Sequence, residues 1–292
     1  MSEAEPAHAA PAAAARLEVE VEQLARDAGA DAVAVAVHDY DRGTDWTLQP
    51  ERWFHAASTI KVPVLLGVFA AIERGELEEH SRVHVRSRFL SIVDGRAYRI
   101  ETSRDANGAV HAAIGKTMQV IELARHMIVT SSNLATNLLV EIVGLDAIRA
   151  TVRELGLTGI EVRRGVEDEA AWQHGINNRV TAAGLCRALR LIEERKAVSE
   201  RASEHMLEIL HDQRFRSGIP AGLPEATRVA HKTGEMSTVA HDAGVVYPAG
   251  REPYVVVILT EWQPDRTGRQ GVIAKLSRAV YQHVTGGAAN GG

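Results

Sequence analysis

Residues 32–37 read Ala32-Val33-Ala34-Val35-Ala36-Val37, an unbroken run of small apolar side chains. A strand with one face in water alternates apolar and polar residues, so a run without polar members reads as a strand covered on both faces. Asp41-Arg42-Gly43 then marks a turn, and residues 46–48 supply a second strand, giving a hairpin. Upstream, Leu17, Val21 and Leu24 recur at helical spacing as far as Ala28, with Gly29 as the stop. The strand pattern does not return until 228–233, 240–247 and 254–262, three runs parted by Gly and Pro and followed by an amphipathic helix over 268–284.

Everything between is mostly helical in pattern. Helices are predicted over 58–74 (ending at Gly75), from Thr117 as N-cap to about 128, and over 132–143, 145–155, 180–195 and 200–211. An exposed hairpin is predicted over 97–115, its arms 98–102 and 109–114 joined at Asp105 to Gly108. Strands at both ends around a helical middle imply an α+β chain, an α/β sandwich. Its five-stranded antiparallel sheet is flanked by the N- and C-terminal helices and carries an inserted all-helical domain. The expected division is a flexible tail over 1–15, an α/β domain from 16–56 with 212–285, the helical insertion over 57–211, and a tail over 286–292.

Composition narrows the function. The 292 residues are 45% hydrophobic and 24% charged, with 33 Lys+Arg against 38 Asp+Glu and a net charge of −5. That describes a chain with a real core, and no electrostatic footprint for nucleic acid or an anionic membrane. One cysteine, Cys186, excludes a disulfide within the chain and any paired-cysteine zinc site, and its apolar neighbours make it a core thiol. His80 and His84 beside Glu78 and Glu79 read as a solvated helix end, and Gly115-Lys116-Thr117 lacks the first glycine of a phosphate loop. No cofactor or metal is called for. Residues 1–15 lack the basic and apolar regions of a secretory signal, so the chain as written is expected in the cytoplasm, or outside it if the native start differs.

Three short motifs carry chemistry together. Ser58-Thr59-Ile60-Lys61 puts an amine one helical turn from a hydroxyl, and a lysine whose pKa is depressed by burial can take a serine's proton. The apolar run from Val62 to Leu66 would bury that lysine, with Pro63 expected to distort the first turn. Ser131-Ser132-Asn133 opens a helix and offers a second hydroxyl and an amide. Lys232-Thr233-Gly234 ends a strand with a cation and a hydroxyl for a carboxylate, and Gly234 lets a substrate lie along the strand edge.

These stretches, Phe54 through Lys61, Met127 through Leu139 and His231 through Gly234, resemble the three active-site motifs of class A β-lactamases and the related penicillin-binding serine enzymes. The resemblance spans roughly residues 17–285. It implies an acyl-enzyme hydrolase of β-lactams or other carboxylate-bearing amides and esters. Ser58 would be the nucleophile, Lys61 its base, Ser131 the proton relay, Asn133 a substrate ligand, and Lys232 with Thr233 the carboxylate anchor. The backbone N–H groups of Ser58 and of Glu235, after Gly234, would form the oxyanion hole. The expected partner is a small anionic substrate acting on a monomer, with no nucleic acid and no membrane.

Two departures stand out. The family has Ser-Asp-Asn where this chain has Ser131-Ser132-Asn133. Its loop pairs a water-activating Glu with an Asn; here Glu167 overlays the Glu, with Asp168 and Glu169 beside it, but Ala171 stands where the Asn would be. The loop resembles more closely a less characterised serine hydrolase branch, matched at Asp168, Gly175, Asn178 and Thr181, with His231 and His241-Asp242-Ala243-Gly244 fitting too. Acylation machinery is thus expected complete and deacylation machinery altered. The alternatives are an intracellular esterase or amidase, or a penicillin-binding sensor that deacylates slowly.

Overall fold

The structure is a computed structural model describing residues 9–106 and 108–286. Residues 1–8 and 287–292, which hold most of the two expected tails, lie outside the described residues. Five strands form the main sheet: β1 (Ala32–Asp39), β2 (Thr44–Leu48), β3 (Arg228–Met236), β4 (Val239–Tyr247) and β5 (Tyr254–Glu261). Their order across the sheet is β3-β4-β5-β1-β2, antiparallel throughout, so β1 pairs with β5 from the other end of the chain. The helices are α1 (Ala9–Ala28), α2 (Lys61–Glu73), α3 (Val120–Val129), α4 (Asn133–Val143), α5 (Leu145–Glu154), α6 (Glu169–Gln173), α7 (Ala182–Glu193), α8 (Glu200–His211) and α9 (Arg269–Val284).

The Ala-Val alternation of β1 is the key to the layering. Ala32, Ala34 and Ala36 join the large core shared with the helical block, while Val33, Val35 and Val37 join a second core under α1 and α9. Small side chains on the first face allow α7 to pack close to the sheet. Helix α2 runs through the larger core and is buried from Lys61 to Ala71, as a helix apolar all round must be.

Several expectations are corrected. Helix α1 begins at Ala9, so residues 9–15 of the expected tail are helical; alanine loses least on entering a helix, and Pro11 sits in the first turn where no N–H partner is required. The hairpin over 97–115 does not form. Ala97–Arg99 pairs instead with Arg88–Leu90, and His111–Ala113 is a single 3₁₀ turn. Thr117 lies in a short strand paired with His84, and the helix starts later at Val120, where Gln119 and Glu122 make a reciprocal capping box. The inserted block therefore carries short ribbons among its helices.

Candidate active site

The chain reaches Ser58 through Phe54–His55, a short strand pairing with Arg179–Val180, and then a single 3₁₀ turn over Ala57–Ile60. The α-helix proper starts at Lys61, not at Ser58 as the spacing suggested. In a 3₁₀ turn residues three apart eclipse one another, so Lys61 stands directly above Ser58. Pro63 falls in the first turn of α2, which explains its presence where a mid-helix proline would break the ladder.

Lys61 is fully buried, and its Nζ is the hub of the site. It lies 3.0 Å from Ser58 Oγ, 3.0 Å from Ser131 Oγ, 2.7 Å from the Ser131 carbonyl and 2.8 Å from Asn133 Oδ1. Burial pulls its pKa down to about 7, against an upward pull from the charges of Asp105 and Glu167. The amine is thus available as a base near neutrality, which a solvated lysine is not.

The second motif divides its labour. Ser132 is the N-cap of α4, its Oγ accepting from Ala135 N at 3.2 Å, and this leaves the Ser131 hydroxyl to the cleft. Ser131 has φ +56°, a left-handed conformation that costs a serine on the order of 1 kcal/mol and turns its side chain toward both lysines. Lys232, on β3, donates to Ser131 Oγ at 3.0 Å and to the Thr233 carbonyl at 2.8 Å. It is fully buried; burial first, and then the nearby Lys61 charge, push its pKa well below the usual lysine range.

Gly234 lies against the nucleophile turn. A Cβ there would come within 3.1 Å of Thr59 N and 3.2 Å of Ser58 N, so only glycine lets β3 run this close. The Glu235 side chain turns away to α9, accepting from Arg269 at 3.1 Å and Gln270 at 3.3 Å, while the residue still borders the cleft. The cleft has two compartments of about 480 and 250 Å³, and Ser58, Arg104, Asn133 and Glu235 line both.

Of the three loop carboxylates, Glu167 is the one in contact with a motif residue. Its Oε1 accepts from Asn133 Nδ2 at 3.2 Å and its Oε2 pairs with Arg104 Nε at 2.6 Å. Asp168 is buried as the N-cap of α6, accepting from Ala171 N and Ile92 N, both at 3.1 Å; Glu169 is exposed. Ala171 is fully buried. The loop itself is closed at its neck by Asn178, which accepts from Arg163 N and Arg164 N and whose carbonyl accepts from Ala56 N at 2.9 Å. The loop is thereby tied to the turn carrying Ser58.

The histidines are framework. His241 is buried, with Nε2 2.9 Å from the His55 carbonyl, and burial lowers both rings to about 4. His231 Nδ1, on β3, meets Asp242 Oδ1, on the neighbouring β4, at 2.9 Å. Cys186 is pushed up to about 12 by burial, an inert thiol. Sequence reasoning missed Arg104 and Asp105, which fall inside the exposed hairpin expected over 97–115.

A serine hydroxyl beside a buried lysine of lowered pKa, with a second serine between two lysines, defines a serine hydrolase of the α/β sandwich type. A family model described as the beta-lactamase enzyme family matches residues 16–284, and the chain belongs to that family. A β-lactamase of Streptomyces fradiae is 29% identical over 97% of this chain and 90% of its own. An ancestral class A β-lactamase structure is 26% identical with a TM-score of 0.78, covering 91% of this chain and 99% of that one. PBP-A, 24% identical with a TM-score of 0.79 over 93% and 96% of the two chains, shares the fold.

Proposed function

We propose that the chain opens β-lactams through an acyl-enzyme on Ser58. The observation that carries this reading is the gathering of Ser58, Ser131 and Asn133 around Lys61 Nζ, all within 3.0 Å. Neutral Lys61 takes the Ser58 proton as Oγ attacks the lactam carbonyl. The oxyanion is met by the N–H groups of Ser58 and Glu235, at the close approach that Gly234 permits. Ser131 passes its proton to the departing lactam nitrogen and is resupplied from Lys232 or Lys61. Lys232 and Thr233 meet the substrate carboxylate, so the favoured substrate is anionic. Asn133 Nδ2 holds the acyl carbonyl, and Glu167 orients the water that releases the acyl group.

Intact-protein mass spectrometry after mixing with benzylpenicillin tests this. A transient adduct on the wild type, absent in Ser58→Ala of unchanged fold, is expected; undiminished turnover by Ser58→Ala would sink the reading. A long-lived adduct would instead mark a slowly deacylating penicillin-binding protein.

A further inference from the structure

Position 132 is serine where the family resemblance leads one to expect an acid, yet a carboxylate is there. Asp105 reaches it from the loop between Ile100 and Val110. Its Oδ2 accepts from Ser132 Oγ at 2.9 Å and from Leu134 N at 3.0 Å, and its Oδ1 accepts from Asn133 N at 3.1 Å. The side chain is completely buried, with His111 Nε2 3.3 Å from Oδ2. Next to it in the chain, the Arg104 carbonyl accepts from Asn133 Nδ2 at 2.9 Å. Three donors on consecutive residues 132, 133 and 134 match a carboxylate, which only accepts; an amide or an alanine could not satisfy them all.

We propose that Asp105 is a positioning residue for the reaction, holding the turn over 131–133 so that Ser131 Oγ and Asn133 Oδ1 both meet Lys61. This role rests on the reading of Ser58 as the acylated nucleophile. The left-handed Ser131 needs surroundings that over-determine it, and its own N–H bond to the Ile128 carbonyl is long, at 3.4 Å. The firm restraints come just after it, and Asp105 supplies three of them. A carboxylate at the start of α4 is also favoured by the helix dipole. Its charge acts on Lys61 as well, opposing the effect of burial together with Glu167, while Lys232 approaches the same Ser131 oxygen from the other side.

The test is an exchange of the carboxylate between two positions. Acylation by benzylpenicillin is followed by rapid quench and mass spectrometry for the wild type, D105A, S132D and the double variant D105A/S132D. D105A is expected to lose roughly a hundredfold in acylation rate, the scale of a misplaced reacting group. S132D alone should also be slower, because two carboxylates then share one buried place. The double variant should regain at least about tenfold over D105A, since a carboxylate again reaches the N–H groups of α4. The acidic limb of the rate should lie at lower pH in D105A than in the wild type, because a charge favouring protonated Lys61 is gone. A purely structural aspartate would not move that limb. Where D105A does not fold, D105N, close in shape and keeping one acceptor oxygen, replaces it in the series. Wild-type acylation rate in D105A, or a double variant no faster than D105A, overturns the proposal. A wild type that penicillin does not acylate fails earlier, before any variant is compared, and takes the functional reading with it.

Discussion

Lys61 and Lys232 converge on one oxygen: each Nζ lies 3.0 Å from Ser131 Oγ, and both amines are fully buried. Two ammonium groups so placed would repel in a medium that screens poorly, and burial already disfavours the charge on each. With Lys61 lowered to about 7, acylation should fall about tenfold per pH unit below 7 and level off above it. Lys61→Arg, whose group stays protonated, should lose 10²–10⁴-fold in acylation at pH 8. The same shift makes a stability prediction. Between pH 7 and 10.5 the unfolded chain binds the Lys61 proton more readily than the folded one, so this lysine's contribution to stability rises with pH across that window. Urea unfolding at pH 6 and pH 9 should show a smaller gain with pH in Lys61→Met than in the wild type.

Glu167 is held from two sides, by Arg104 Nε and by Asn133 Nδ2, and its hydrogen bond to the acylation groups runs through Asn133. Its loss should spare acylation and slow release of the acyl group. Glu167→Gln is expected to accumulate the penicilloyl adduct, with deacylation slower by about 10²–10⁴-fold, the usual worth of a general base. Adduct lifetime by mass spectrometry reads it directly. A lifetime equal to the wild type's would assign water activation elsewhere.

How much of this was legible in the chain depended on the kind of signal. The sheet was readable because β1 and β5 hold uninterrupted apolar runs buried on both faces, while β3 and β4, which carry His, Lys and Asp, are runs set off by Gly and Pro. Ser58, Ser131 and Lys232 were readable because each sits in a local motif whose spacing carries chemistry. The loop from 97 to 115 was misread because its polar residues act through distant partners. Asp105 is an aspartate between polar neighbours, the usual composition of an exposed turn, and nothing local says that it caps a helix beginning at Asn133. The Ser58–Lys61 pairing was right for a different geometry, since a 3₁₀ turn rather than an α-helix brings the two together.

Gly234 should not tolerate a methyl group. Its backbone is not left-handed, so Gly234→Ala carries no conformational strain of its own; the cost is contact, at 3.0 Å from Thr59 Cγ2 and 3.1 Å from Thr59 N. The methyl of Thr59 can shift, but the backbone of the 3₁₀ turn cannot do so without moving Ser58. Acylation should fall by roughly a hundredfold while the melting temperature changes by only a few degrees. A large loss of stability with acylation preserved would show that the close approach serves packing alone.

The buried pair joining β3 and β4 is a support whose removal should be felt as stability. Asp242 Oδ1 meets His231 Nδ1 at 2.9 Å and Oδ2 accepts from Ile219 N at 2.8 Å, with both side chains fully buried. Asp242→Ala strands the imidazole and the Ile219 N–H without a partner in a place water does not reach. The expected loss is about 2–5 kcal/mol, from two buried polar groups left unpaired at about 1–3 kcal/mol each. Replacing both members, Asp242→Ala with His231→Leu, leaves only the Ile219 N–H unpaired and should recover part of it. Chemical denaturation of the wild type, the two single variants and the double closes the cycle. Additive losses would mean that the two side chains contribute independently, and that the contact between them stabilises nothing.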